Sequence, residues 1–262
     1  MPTLTIEPGL SLYHEVRGQG PALVLLNGMS QSTANWMSQV RPLCERFKVI
    51  TWDARGQGRS DIGPAPLTLE RHAADLTRLL DALEVERAHL CGFSYGARVA
   101  LAFAARSPDR VDRLVLTSLG SGQSSLRRLI VRSWREVLDR GGLEAMAWAS
   151  LPHILGEIFL AQYERQIPAM IQATLSRNTE AGIRALLDGL DRAAPAEEDA
   201  ARVTAPALVI SADQDPLVSL ASATGLAAAF ADGRHALIEG YGHTLPVEAP
   251  ARWRALVEGF LT

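Results

Sequence analysis

Residues 90–98 read Leu90-Cys91-Gly92-Phe93-Ser94-Tyr95-Gly96-Ala97-Arg98. The centre, Gly-x-Ser-x-Gly, is the pattern of a serine held on a sharp turn between a strand and a helix. A residue strained at the tip of such a turn needs small neighbours two positions to either side. Without them the incoming strand and outgoing helix cannot approach. The pattern is short enough to arise by chance, so its surroundings decide the reading. Residues 85–91 read as a short buried strand, and residues 97–106, rich in alanine, form a strong helix candidate directly after it. Ser94 is therefore a candidate nucleophile rather than a serine in an ordinary tight turn.

Working outward, the chain alternates strand and helix on both sides of this turn. Residues 4–6 and 10–16 alternate apolar and polar positions around Pro8-Gly9 and read as an edge hairpin. Residues 22–26 are continuously apolar, as expected of a strand covered on both faces. A helix is expected over 33–47, a strand over 49–52, and a helix over 68–83 with Thr68 as its N-cap. After the serine turn come a strand at 111–118, and later a strand at 207–211, a helix at 218–230, a strand at 235–238 and a helix at 249–261. This order predicts an α/β fold with a mostly parallel central sheet flanked by helices. Between 121 and 201 no good strand candidate occurs, only helical segments broken at Gly141-Gly142, Pro152, Pro168, Gly182 and Pro195. The expected organisation is a core of residues 1–120 and 202–262 with an all-helical lid, 121–201, inserted after the sixth strand.

Composition narrows the class. The 262 residues are 47% hydrophobic and 21% charged with a formal net charge of −3, which suits an ordered globular chain. No block of like charge gives an electrostatic reason to expect nucleic acid or an anionic membrane as partner. The first residues lack the basic start and apolar run of a signal peptide, and no apolar stretch is long enough to span a bilayer. Cys91 falls in a predicted buried strand, and the only other cysteine is Cys44, so a reducing cytoplasm is the expected location.

An activated serine needs a base within hydrogen-bond reach and an acid to orient that base. Such groups gather at the carboxyl ends of parallel strands. His243 follows the strand at 235–238 through Gly240-Tyr241-Gly242, whose glycines let the loop bend back to the sheet. His14, His72, His89, His153 and His235 fall on strands or helices instead. Two acids, Asp213 and Asp215, follow the strand at 207–211. Pro216 and the longer reach favour Asp215. Two backbone N–H groups must also face the developing oxyanion. Tyr95, next after the serine, supplies one, and the loop after 22–26 supplies the other from Met29, with Ser30 the lesser choice.

These motifs resemble the α/β-hydrolase superfamily over nearly the whole chain outside the lid. The matching residues are Asp53-x-Arg55-Gly56-x-Gly58-x-Ser60, Gly92-x-Ser94-x-Gly96, Ser107-Pro108-x-Arg110-Val111, Asp215-Pro216-Leu217-Val218, and Gly242-His243 with Glu248-x-Pro250. The family's triad acid aligns with Asp215. Residues 68–90 and 111–116 look most like the small esterase and 3-oxoadipate enol-lactonase branch, which implies hydrolysis of a small ester or lactone without metal or organic cofactor. The chain departs from the family at Asn27-Gly28, where His-Gly is usual and the histidine supports the oxyanion loop. Leu26-Asn27-Gly28 with Thr33-Ala34-Asn35 is similar to thioester-using acyltransferases of rhamnolipid synthesis, which lack the Asp-x-Arg-Gly pattern present here. Arg98 occupies a position where enzymes eliminating pyruvate in menaquinone synthesis bind a carboxylate, although an arginine on a helix also commonly pairs with an acid. A receptor that keeps the hydrolase pocket without turnover is the alternative from another class.

The lid's apolar residues, among them Trp134, Met146 and Trp148, imply an apolar pocket for a medium-sized acyl or cyclic substrate. Asn27, Arg98, Trp134 and Trp148 are the candidate substrate contacts. Arg127, Arg128, Arg132 and Arg135 either attract an anionic headgroup or form a solvated face balanced by Glu136 and Asp139. The expected partner is a small molecule, bound by a monomer or homodimer.

Overall fold

The structure, a computed structural model, describes residues 3–122 and 124–262. One sheet holds eight strands: β1 (Thr3–Glu7), β2 (Leu10–Arg17), β3 (Ala22–Leu26), β4 (Lys48–Trp52), β5 (Ala88–Phe93), β6 (Val111–Thr117), β7 (Ala207–Ala212) and β8 (Gly233–Ile238). Their order is β1-β2-β4-β3-β5-β6-β7-β8. The hairpin and its pairing to β4 are antiparallel, and every pairing from β4 to β8 is parallel. The chain steps from β3 outward to β4, then returns to the other side of β3 as β5. Loops leaving the carboxyl ends of β3 and β5 therefore diverge around a crevice.

Strand periodicity divides the core. In β3, Leu23 and Leu25 face one apolar layer with Trp36 and Trp253, whereas Val24 and Leu26 face the other with Leu76, Leu79 and Phe103. Both layers are buried, which is why this strand reads as an unbroken apolar run. The flanking helices are α1 (Met37–Leu43), α2 (Leu69–Ala82), α3 (Tyr95–Arg106), and, after the insertion, α9 (Leu220–Ala228), α10 (Leu245–Glu248) and α11 (Pro250–Leu261). Between β6 and β7 lie α4 (Ser125–Ile154), α5 (Glu157–Tyr163), α6 (Ile167–Leu175), α7 (Glu180–Leu190) and α8 (Ala196–Ala200). The insertion after the sixth strand is helical, as expected.

Boundaries differ where caps and turns compete. The helix expected over 33–47 is a 3₁₀ turn, Thr33–Trp36, followed by the short α1, and residues 44–47 turn out of it. The strand before the serine starts at Ala88 rather than 85, because Glu84 turns with φ 53° and the Val85 amide bonds to the Leu80 carbonyl. The helix expected from 218 starts at Leu220, since the Ser219 hydroxyl caps the Ser222 amide while the Leu217 and Val218 amides donate to Asp215. In the insertion, Gly142 does interrupt α4, with φ 75°. Pro152 does not end it, and Gly182 does not break α7: its missing Cβ lets the Gly56 carbonyl pack against the helix.

His72 on α2 is fully buried, neither of its ring nitrogens has a hydrogen-bond partner among the described residues, and Tyr95 meets it edge-on at 5.6 Å between ring centres. Burial, with the charges of Arg55 and Arg71, lowers its pKa to about 3. An unfolded chain takes a proton at this histidine below about pH 6.5. Between that pH and the folded value the unfolded state binds more protons, so stability falls as pH falls through this window and is unaffected well above it. His72→Leu removes the titration without breaking a hydrogen bond. Denaturant unfolding at pH 7.5 and pH 5 is expected to show a smaller loss for the variant, by about 2 kcal/mol. Equal losses in both proteins would contradict this assignment.

Candidate active site

The register of the central strands brings the site together. Leu26 on β3 lies opposite Gly92 on β5, so the loop 27–30 and the Ser94 turn emerge side by side. Ser94 has φ 52° and ψ −110°, a backbone conformation that a non-glycine residue rarely adopts. Its two glycines are required by contact. A Cβ on Gly92 would lie 2.5 Å from the Ala97 Cα, and one on Gly96 would collide with the carbonyls of Leu26 and Asn27. The Ser94 turn is thus pressed directly onto the end of β3.

The Ser94 Oγ lies 2.8 Å from His243 Nε2, and His243 Nδ1 lies 2.7 Å from Asp215 Oδ2. With the ring proton on Nδ1 donated to Asp215, Nε2 accepts from the serine hydroxyl. The other Asp215 oxygen accepts the amides of Leu217 and Val218 at 2.8 and 3.1 Å, so the carboxylate is fixed on both sides. Asp213 is exposed and accepts the Gly240 amide at 2.7 Å, which makes it a support for the histidine loop rather than a partner of the ring. His243 is buried beside Phe93, with 5.4 Å between ring centres.

Tyr95 is the first residue of α3, so its N–H is one of the amides a helix leaves without an acceptor four residues back. Met29 sits in a loop braced by its neighbours. The Gly28 carbonyl accepts from Gln57 Nε2 at 2.7 Å and from the Gln31 amide at 3.2 Å, and the Ser30 hydroxyl donates to the Met29 carbonyl at 2.6 Å. Met29, Ser94, Tyr95 and His243 all line one cavity of about 880 Å³ between the sheet and the insertion.

Of the candidate substrate contacts, Trp134 lines this cavity, its indole N–H 3.2 Å from His153 Nδ1. Trp148 does not: it stands on the outside of α4, 43% exposed. The periodicity of α4 past the Gly142 kink turns it away from the sheet. Asn27 is also absent from the lining. It is buried beneath the loop, accepting from Trp36 Nε1 at 2.6 Å and donating to the Trp52 carbonyl at 2.8 Å. Asn27 thus braces the Met29 loop instead of touching a ligand. Arg98 reaches the cavity wall, yet its guanidinium is committed to Asp199 at 2.7 Å and to the Ala194 carbonyl at 2.7 Å. The pair of arginine and acid is the reading that holds there. The balance expected for the lid arginines differs too: Glu136 pairs with Arg140 and Asp139 with Arg184, while Arg135 bridges Asp188 and Asp191.

Glu248 was legible only as part of a motif, and the structure gives it a job. Its carboxylate accepts the amides of Gly242 at 3.0 Å and Thr244 at 2.8 Å, on either side of His243, and that of Gly156 in the insertion at 2.7 Å. The Thr244 amide and hydroxyl also donate to the Ile154 carbonyl, and Ser118 Oγ donates to the His243 carbonyl at 2.6 Å. One buried acid therefore ties the histidine loop to the insertion.

Among the described residues, no group of three or more His, Cys, Asp and Glu side chains is placed to hold a metal ion, and no helix is long and apolar enough to cross a membrane.

Comparison with known proteins agrees with this architecture. The sequence model of the α/β hydrolase fold family matches residues 21–250. RutD of Caulobacter sp. (strain K31), to which carbamate hydrolysis is provisionally ascribed, is 30% identical, the match covering 96% of each chain. The enol-lactonase of Burkholderia xenovorans LB400 superposes with a TM-score of 0.87 at 27% identity, covering 99% of each chain. A thermophilic esterase of Thermogutta terrifontis gives a TM-score of 0.87 at 26% identity, over 100% of this chain and 96% of that one.

Replacing Glu248 by Ala leaves the buried amides of Gly156 and Gly242 without their acceptor and the Thr244 amide with the Ile154 carbonyl alone. Hydrogen exchange over residues 153–158 and 240–246 is expected to quicken at least about tenfold, with the central strands unchanged. Unaltered protection in both segments would show that the carboxylate does not hold them.

Proposed function

Because the chain belongs to the α/β-hydrolase family, we propose that it is a serine hydrolase cleaving a small carboxylic ester or lactone. The observation that carries this reading is the pair of short contacts, Ser94 to His243 at 2.8 Å and His243 to Asp215 at 2.7 Å, beneath a cavity able to hold the substrate. Serine is a weak nucleophile until a base takes its proton.

Ser94 Oγ attacks the carbonyl carbon as its proton passes to His243 Nε2, and the imidazolium formed is stabilised by Asp215. The Met29 and Tyr95 amides receive the oxyanion. Collapse of the adduct breaks the acyl–oxygen bond, the leaving alkoxide takes the proton from His243, and an ester of Ser94 remains. Water then repeats the sequence, giving its proton to His243, and releases the acid and free Ser94. In a lactone the leaving alcohol stays tethered to the acid. The strained Ser94 backbone supports this scheme by projecting the hydroxyl clear of the sheet, where an acyl group can reach it. The names of the enol-lactonase and the esterase support the same reaction class.

The test is turnover of a panel of 4-nitrophenyl esters and aliphatic lactones, with free acid measured as product. The wild-type chain is expected to release acid, and Ser94→Ala to lower kcat/KM at least about a thousandfold. Turnover of Ser94→Ala near that of the wild type would contradict the mechanism.

A further inference from the structure

The insertion also reaches the oxyanion side of the site, through a residue that the reaction scheme does not use. Asn178 stands between α6 and α7, buried, and its side-chain amide donates twice: to the Thr174 carbonyl at 2.9 Å and to the Ser30 carbonyl at 2.8 Å. The first bond lies within the insertion and helps to close the end of α6. The second leaves the insertion for the loop that carries Met29. The Asn178 Oδ1 is buried too and has no hydrogen-bond partner among the described residues, which is unfavourable. The side chain is therefore held there by its donors alone. Gln57 shows the same pattern. Its Nε2 donates to the Gly28 carbonyl at 2.7 Å, while its buried Oε1 has no such partner among the described residues. The backbones of Gln57 and Asn178 pair in an antiparallel bridge, so the insertion and the loop after β4 brace the Met29 loop together.

Peptide geometry carries these bonds to the cavity. A trans peptide is planar with its C=O and N–H pointing in opposite directions, so donors fixed on the Gly28 carbonyl fix the direction of the Met29 N–H. Gln57 is one of those donors, and the Gln31 amide, at 3.2 Å, is the other. The Gln31 N–H belongs to the same peptide as the Ser30 carbonyl, which Asn178 holds. Donors thus run in series from Asn178 to the Ser30–Gln31 peptide, then to the Gly28–Met29 peptide, and from its N–H to the oxyanion. Hydrogen bonds in such a series polarise one another, which strengthens the last donor. Ser30 has φ 61°, a strained conformation that the bond to its carbonyl helps to hold. We propose that Asn178 is a positioning residue that aims and polarises the Met29 amide, so that the insertion completes the oxyanion site. The inference rests on the hydrolase reading and deepens it.

The test compares the wild type with Asn178→Ala and with Asn178→Leu, a side chain of similar size that donates nothing. With 4-nitrophenyl esters, kcat is expected to fall at least about tenfold in both variants, less than for loss of a whole oxyanion donor, while KM stays within about twofold. An alkyl trifluoromethyl ketone accepts Ser94 Oγ at its carbonyl carbon, the serine proton passing to His243, and leaves an oxyanion in the site. Its Ki is expected to rise at least about tenfold in both variants, and that of the matching trifluoromethyl carbinol, which forms no oxyanion, to stay within about twofold. Reading ketone against carbinol cancels general damage to the fold. The same ratio of Ki values in all three proteins overturns the proposal. Met29 is the one methionine preceded by glycine. Glycine labelled with ¹³C at its carbonyl, together with ¹⁵N-labelled methionine, therefore gives a single cross-peak from the Gly28–Met29 peptide. That peak is expected to move by more than its linewidth in both variants, and an unmoved peak overturns the proposal. If the wild type neither cleaves an ester nor binds the ketone, the hydrolase reading fails, and the cross-peak alone decides whether Asn178 sets the Met29 amide.

Discussion

The contact on which this structure depends is the close seat of α3 on the end of β3. Gly96 has no side chain, so the first turn of the helix rests against the carbonyls of Leu26 and Asn27. That seat forces Ser94 into positive φ, a strain of roughly 1–3 kcal/mol that the surrounding sheet must hold. Two consequences follow from the same contact. The hydroxyl is thrust above the strand ends, and the Tyr95 amide is brought beside the loop that carries Met29. Position and electrostatics are set together, before any ligand arrives.

The histidine is secured differently. Ser94 and Asp215 stand at strand ends, but His243 rides on a loop whose fixed points are hydrogen bonds. Glu248 supplies three of them and reaches into the insertion at Gly156, where the two loops approach so closely that a Cβ on Gly156 would lie 2.6 Å from the Gly242 nitrogen. The insertion is therefore more than a cover for the cavity: its segment after α4 is part of the frame that holds His243. A displacement of that segment would be felt at His243 without touching the serine.

Much of this could be read from the sequence, and the reasons are local. Strand and helix alternation, the glycines around Ser94, and the chain order Ser94, Asp215, His243 depend on spacing within short segments, which a sequence displays directly. The readings that needed correction depend on partners distant in the chain. Arg98 could be matched to Asp199 only once α8 was known to pack on α3, and the outward turn of Trp148 depends on how α4 bends at Gly142. Asn27 was visible as a departure from the usual histidine, but its bonds to Trp36 and Trp52, which preserve the bracing role, involve two further elements. Glu248 was visible as a motif without a purpose, because its three amides come from both sides of the histidine and from the insertion.

Whether Ser94 is an activated nucleophile is read directly from intact mass after exposure to a fluorophosphonate, followed by peptide mapping. A single phosphonyl adduct on Ser94 is expected, formed far more slowly when His243 is replaced by alanine. A folded protein that acquires no adduct, or acquires it at another residue, would contradict it.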